Sequence, residues 1–227
     1  MPVHLRVDLP DRPGILARLA DALAQVGADV LSVAVTERSP GRAVDDFLLE
    51  WGPHRTREDL TAAVEGITGC HVLGMRRVAT VPDENPALDL VTHVLWQPQR
   101  AVETLVDMLP SFAGADWAAV VANSDEGRCL YGSVSAPAAV RLPQPASDSR
   151  AVAFETDGMV GVRLPLADSD VSVVAVRIEA PCFSRREIDE LVRLTELMVT
   201  LVRVVLPQSS TPPSRLTARL LSVALQA

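Results

Sequence analysis

Apolar residues in the first 78 positions switch between a repeat of two and a repeat near 3.6, in an order that leaves the chain few ways to bury them. Val3, Leu5, Val7 and Leu9 alternate with His4, Arg6 and Asp8, as in a strand with one buried face. The turn from Asp11 to Gly14 leads into Ile15, Leu16, Leu19, Leu23 and Val26, which recur at helical spacing until Gly27. Asp11 is placed to cap this helix, and Pro13 sits near its first turn, where a missing amide hydrogen costs nothing. Leu31, Val33 and Val35 alternate through a second strand, Val30 to Arg38, and Pro40 with Gly41 turns the chain into a third, Val44 to Trp51. Thr56 and Asp59 have the spacing of a capping box ahead of Leu60, Ala63, Val64 and Ile67, which share one helical face. Gly69 ends that helix, and Cys70 to Val78 reads as a fourth strand.

The order β-α-β-β-α-β predicts a ferredoxin-like domain, a four-stranded antiparallel sheet with both helices on one face. That fold hosts many functions, so the first turn carries the functional signal. Asp11-Arg12-Pro13-Gly14-Ile15-Leu16, followed by Gly27-Ala28-Asp29-Val30-Leu31 at the entry to strand two, resembles the signature of ACT domains across residues 3 to 78. The resemblance implies an amino acid bound where two such domains pair, with Asp11, Arg12, Gly14, Ile15, Leu16, Asp29 and Val30 as ligand-binding residues. Gly14, Ile15 and Leu16 would give backbone contacts, and Asp11 and Asp29 would meet an ammonium group. Asp29 departs from the asparagine common in amino-acid-binding relatives. Independently of any family, a bare glycine beside the unpartnered amides of a helix's first turn makes a small electropositive nest suited to a carboxylate. The same residues also admit a purely structural reading, with Asp11 as cap, Gly14 as a packing residue and Asp29 as a turn residue.

Residues 80–86 have the polar, proline-bounded composition of a linker, which sets a first domain at 1–79. Beyond it come two helices around Leu88 to Leu95 and Ala101 to Leu109, and then strands from Asp116 to Asn123 and Cys129 to Val134. Ala136 to Ser149 reads as an irregular surface segment. Strands Val160 to Leu166 and Val171 to Ile178 follow, joined by a turn at Asp168, Ser169 and Asp170. A capping box at Ser184 to Glu187 then opens a long helix reaching about Leu206. This succession, with the phrase Ala180 to Glu187, resembles a GAF-type domain over 87–206, an α/β sandwich with an antiparallel sheet and long terminal helices. Ile188, Leu191, Met198, Val202 and Val205 form one stripe on the last helix, and Leu194, Leu197 and Leu201 a second one available to a partner. Residues 207–227 are expected to be a tail carrying a short helix. The fold class is thus α+β.

Composition narrows the functions. All 21 basic residues are arginine, so neither a lysine Schiff base nor a Walker-type phosphate-binding lysine is available. A net charge of −8 disfavours nucleic acid as the main partner. No apolar run approaches the length of a membrane span, and the N-terminus lacks the pattern of a signal peptide, which predicts a cytoplasmic protein. The three cysteines, Cys70, Cys129 and Cys182, are scattered and read as buried free thiols rather than as a metal site. His4, His54, His71 and His93 sit singly, and neither His93 nor Cys182 has the surroundings of a haem or bilin attachment site. Asp45 and Asp46 must face opposite sides of their strand and so cannot form a catalytic dyad. The expectation is a non-catalytic regulatory protein with no metal or cofactor, a homodimer that senses an amino acid and presents its second domain to a protein partner. The alternatives are a ligand-free dimerisation adaptor and a regulatory subunit of a separate enzyme of amino-acid metabolism.

Overall fold

The structure is a computed structural model that describes residues 2–52, 56–78, 86–123, 128–140, 150–156, 158–166, 170–178 and 181–205. The expected linker up to residue 85, residues 141–149 of the expected irregular segment, Asp168 and Ser169 of the expected turn, His54 and the 207–227 tail lie outside the described residues. The chain divides into two compact units, Met1–Val81 with Glu179–Arg186, and Pro82–Ile178 with Glu187–Ala227.

The first unit runs β1 (Pro2–Pro10), α1 (Ile15–Gln25), β2 (Ala28–Ser39), β3 (Arg42–Trp51), α2 (Arg57–Glu65) and β4 (His71–Arg77). Its sheet has the order β2-β3-β1-β4 with every pair antiparallel, which leaves β2 on an edge. Val3, Leu5, Val7 and Leu9 of β1 pack with Phe47 and Leu49 of β3 against Ile15, Leu19 and Leu23 of α1 and Leu60 and Val64 of α2. Period-two alternation therefore sets the core on the helix side and turns His4, Arg6 and Asp8 to the opposite face. The capping box forms as its spacing requires: the Asp59 amide donates to Thr56 Oγ1 at 3.3 Å and the Thr56 amide to Asp59 Oδ2 at 2.9 Å. Thr56→Ala is expected to cost about 1 kcal/mol, read as a lower denaturant midpoint with an unchanged slope.

A strap, Pro181 to Arg186, crosses the face of this sheet opposite the helices. Pro181 lies against Gly74 of β4, Arg6 of β1 donates through Nη1 to the Cys182 carbonyl at 2.6 Å, and Arg186 Nη1 donates to the Val35 carbonyl of β2 at 2.8 Å. Pro181, Phe183 and Ser184 are buried. Cys182, read from the sequence as a buried thiol, is exposed, whereas Cys70 is buried as expected.

The second unit contains α3 (Pro86–Trp96), a 3₁₀ turn (Pro98–Arg100), α4 (Ala101–Ala113), β5 (Trp117–Ala122), β6 (Cys129–Gly132), β7 (Val152–Thr156), β8 (Met159–Pro165), β9 (Val171–Arg177) and most of α5 (Arg185–Val205). Its antiparallel sheet has the order β6-β5-β9-β8-β7. Strand β7 has no counterpart among the sequence expectations. Its anchor is Phe154, whose ring lies over Gly161 of β8 so closely that a Cβ there would fall 2.3 Å from it. Arg177 is fully buried and donates to the Ala113 carbonyl at the end of α4 at 2.6 Å and to Glu187 Oε1 at 2.5 Å, a cation placed at the negative end of a helix. On α5 the buried stripe is Leu191, Leu194, Thr195, Met198 and Val202, so Leu194 belongs with the first stripe rather than the second. Leu197 remains 39% exposed.

Candidate functional site

The turn between β1 and α1 is exposed from Asp11 to Gly14. Gly14 is the N-cap of α1, with φ of 85° in the left-handed region, and no side chain caps the helix. The expected cap, Asp11, instead accepts from Arg38 Nη2 of β2 at 2.9 Å. The physical reason is the left-handed residue: it ends the turn by backbone geometry alone, one step before the helix, and leaves Asp11 three residues too early to reach the first turn. The first intrahelical bond runs from the Arg18 amide to the Gly14 carbonyl at 3.2 Å, so the amides of Leu16 and Ala17 precede the helical ladder. Ile15 is buried in the core, while Leu16 is 43% exposed beside the turn.

Asp11, Arg12, Gly14, Ile15 and Leu16 thus come together at one end of the sheet, where Pro10, Arg42 and Ser39 stand in register. Asp29 and Val30 do not join them. They open β2 at the other end, opposite Glu50 and Leu49, about 30 Å away along the strand. Within one chain, the residues singled out by the sequence form two groups.

Sequence reasoning missed two residues on the strands that lead to this end of the sheet. Asp45 lies on the core side of β3, opposite Val7 and Val35, and is only 2% exposed. Its Oδ1 has no hydrogen-bond partner, and neither does Thr36 Oγ1, buried where the β2–β3 register slips next to Val35. Burial pushes the Asp45 carboxyl up, Asp11 and Asp46 add to that, and Arg38 opposes it. The alternation Ala43, Asp45, Phe47, Leu49 was the available signal, since it gives Asp45 the core face and Asp46 the other.

On that other face Arg6 grips Asp46 with two hydrogen bonds of 2.6 Å, and His4 Nε2 lies 3.4 Å from the same carboxylate. Burial lowers the pKa of His4, outweighing the hydrogen bond and charge of Asp46, so the ring favours its neutral form. His4 pairs across the sheet with Arg76, and His71 with Asp8, so the two histidines occupy neighbouring strands but not one site. The second unit has its own buried polar cluster, in which Arg163 donates to Ser172 Oγ at 3.0 Å and to Asn123 Oδ1 at 2.7 Å. Among the described residues no group of three or more His, Cys, Asp and Glu is arranged to hold a metal, and no helix is long and apolar enough to cross a membrane.

Residues 3–67, from β1 through α2, match the family model of the ACT domain. No curated protein matches the sequence significantly. Solved structures with some likeness include a formyltetrahydrofolate deformylase from Pseudomonas putida KT2440, 14% identical with a TM-score of 0.29 over 42% of this chain and 38% of that one. An unknown protein from Galdieria sulphuraria is 14% identical, with a TM-score of 0.31 over 88% of this chain and 91% of its own. The ligand-free regulatory subunit of aspartate kinase from Thermus thermophilus is 13% identical, with a TM-score of 0.27 over 87% and 91%. Scores this low carry no argument about the present chain, which spans little more than a third of the deformylase.

Proposed function

We propose that this chain is a non-catalytic regulatory protein whose first unit senses a small metabolite, an amino acid, at the β1–α1 turn. The observation that carries this reading is Gly14: a left-handed cap with open space around it, in front of first-turn amides that no side chain satisfies, within a segment that matches the ACT model. Such a helix end attracts a carboxylate through its free donors and its partial positive charge.

The separation of Asp29 and Val30 from the turn argues for a homodimer. Strand β2 is an edge strand with Leu31, Val33 and Val35 each more than 40% exposed. Antiparallel pairing of two such edges brings the start of one β2 toward the end of the other, and with it Asp29 and Val30 of a second copy toward Asp11 to Leu16. We assign the second unit, from residue 87 onward, a GAF-like dimerisation or signalling role. Its support is the succession of two helices, two strands, a middle segment, further strands and a long helix. The setting is taken to be the cytoplasm, with a protein partner as the recipient of the signal.

A thermal-shift panel of the twenty amino acids tests the reading. A ligand present at a hundred times its Kd adds about 2.7 kcal/mol to the folded state and raises the melting temperature by several degrees. In Gly14→Glu the shift is expected to vanish. A Cβ at this position meets nothing within 4 Å, so the fold persists at a backbone cost of about 1–2 kcal/mol for the left-handed φ. A shift that survives this substitution places the ligand elsewhere, and no shift at all favours a ligand-free adaptor.

A further inference from the structure

A buried carboxylate with no hydrogen-bond partner is costly, and natural folds seldom keep one that only fills space. Asp45 is such a group: its side chain stands on the core side of β3 at 2% exposure, its Oδ1 unpartnered. Asparagine would fit the same volume without the charge, so the charge calls for a reason beyond packing. Position supplies one. Asp45 is two residues from Ala43, whose cross-strand partners are Leu9 at the end of β1 and Arg38 on β2, the arginine that holds Asp11. Both Asp11 and Arg38 act electrostatically on Asp45, which puts its carboxylate in the field of the β1–α1 turn. Thr36 Oγ1, buried and unpartnered at the adjacent bulge, adds a second polar atom with unused capacity.

We propose that Asp45 receives the ammonium group of the ligand whose carboxylate sits at the first turn of α1, with Thr36 Oγ1 as an auxiliary acceptor, so that the site selects amino acids over carboxylates lacking an amine. The proposal rests on the sensing role of the turn and adds Asp45 to the ammonium contact assigned to Asp29, which a second copy would bring to the turn. It gives the two ends of a zwitterion separate receptors within one chain: helix amides for the carboxylate, and a buried acid for the ammonium. A ligand cation restores to Asp45 the partner that the folded chain does not provide.

The test is calorimetric titration of the full chain with each of the twenty amino acids and, for any that binds, with the carboxylic acid of the same side chain that lacks the amine. The wild type is expected to prefer the amino acid at least tenfold. In Asp45→Asn the amino acid should weaken at least tenfold and the amine-free acid should bind as before, so that the preference disappears. Without ligand, Asp45→Asn should melt at or above the wild-type temperature, because it removes an unpartnered buried charge. Equal affinity of both proteins for the amino acid, or a wild type indifferent to the amine, overturns the role of Asp45 and leaves the turn as a carboxylate site. A lower melting temperature for unliganded Asp45→Asn also overturns it, since the carboxylate would then support the fold. If no amino acid binds the wild type, the sensing role and this inference fail together.

Discussion

Arg6→Ala is expected to destabilise the first unit by about 3–5 kcal/mol, the range found when one partner of a buried ion pair is removed. Arg6 is 4% exposed, holds both oxygens of Asp46 and reaches the Cys182 carbonyl of the strap. Without it Asp46, a half-buried carboxylate, keeps only the weak contact to His4. A second variant isolates the cause: Arg6→Met combined with Asp46→Leu removes both charges and should recover much of the loss. Acid provides another check. Burial pushes the Asp46 carboxyl up, but the hydrogen bonds from Arg6, and then from His4, outweigh it and hold it well below the usual carboxylate range. A folded-state pKa below the unfolded one contributes stability that is complete above about pH 4 and is lost as the pH falls further. The neutral His4 adds a loss of the same sign, beginning as the pH drops through about 6.5. Denaturant titrations at pH 7 and pH 3 should therefore show the wild type losing more stability on acidification than Arg6→Ala, which no longer has the Asp46 contribution to lose.

Gly74→Val is expected to cost the same unit more than the roughly 1–3 kcal/mol of ordinary overpacking. A Cβ at Gly74 would lie 2.7 Å from the Pro181 nitrogen and 2.9 Å from its Cα, and a backbone cannot give way as a flexible side chain does. The strap must lift, which exposes Pro181, Phe183 and Ser184 and takes from Arg6 its carbonyl acceptor. Limited proteolysis should show new cleavage near 181–186 in the variant. Gly14 provides the contrast, because a Cβ there meets nothing and the cost is confined to its φ.

Much of the first unit was legible in the sequence, because its elements announce themselves locally. The alternation of Val3 to Leu9, the helical spacing of Ile15 to Leu23 and the Thr56 to Asp59 box each act within a few residues, and all three form as read. Contacts made across the chain were not legible. The strap unites Gly74, Arg6 and Val35 with residues more than a hundred positions away, and its phrase from Ala180 to Glu187 resembles an ordinary helix start. Strand β7 escaped because Val152 to Thr156 alternates weakly, and its anchor, Phe154 over Gly161, is a cross-strand relation. At the candidate site, a motif showed that Asp11 to Leu16 belong together but not that the length of β2 separates them from Asp29. Asp45 was assigned a face but no role, since a lack of partners is a property of three dimensions.

The most direct test of sensing at the β1–α1 turn is an amide NMR titration of the full chain with the amino acid that gives the largest thermal shift. Binding at the end of α1 predicts that the largest changes fall on the amides of Gly14, Ile15, Leu16 and Ala17, and that Gly14→Glu abolishes them. Changes confined to residues 87–205, or an unchanged spectrum at millimolar ligand, would contradict it.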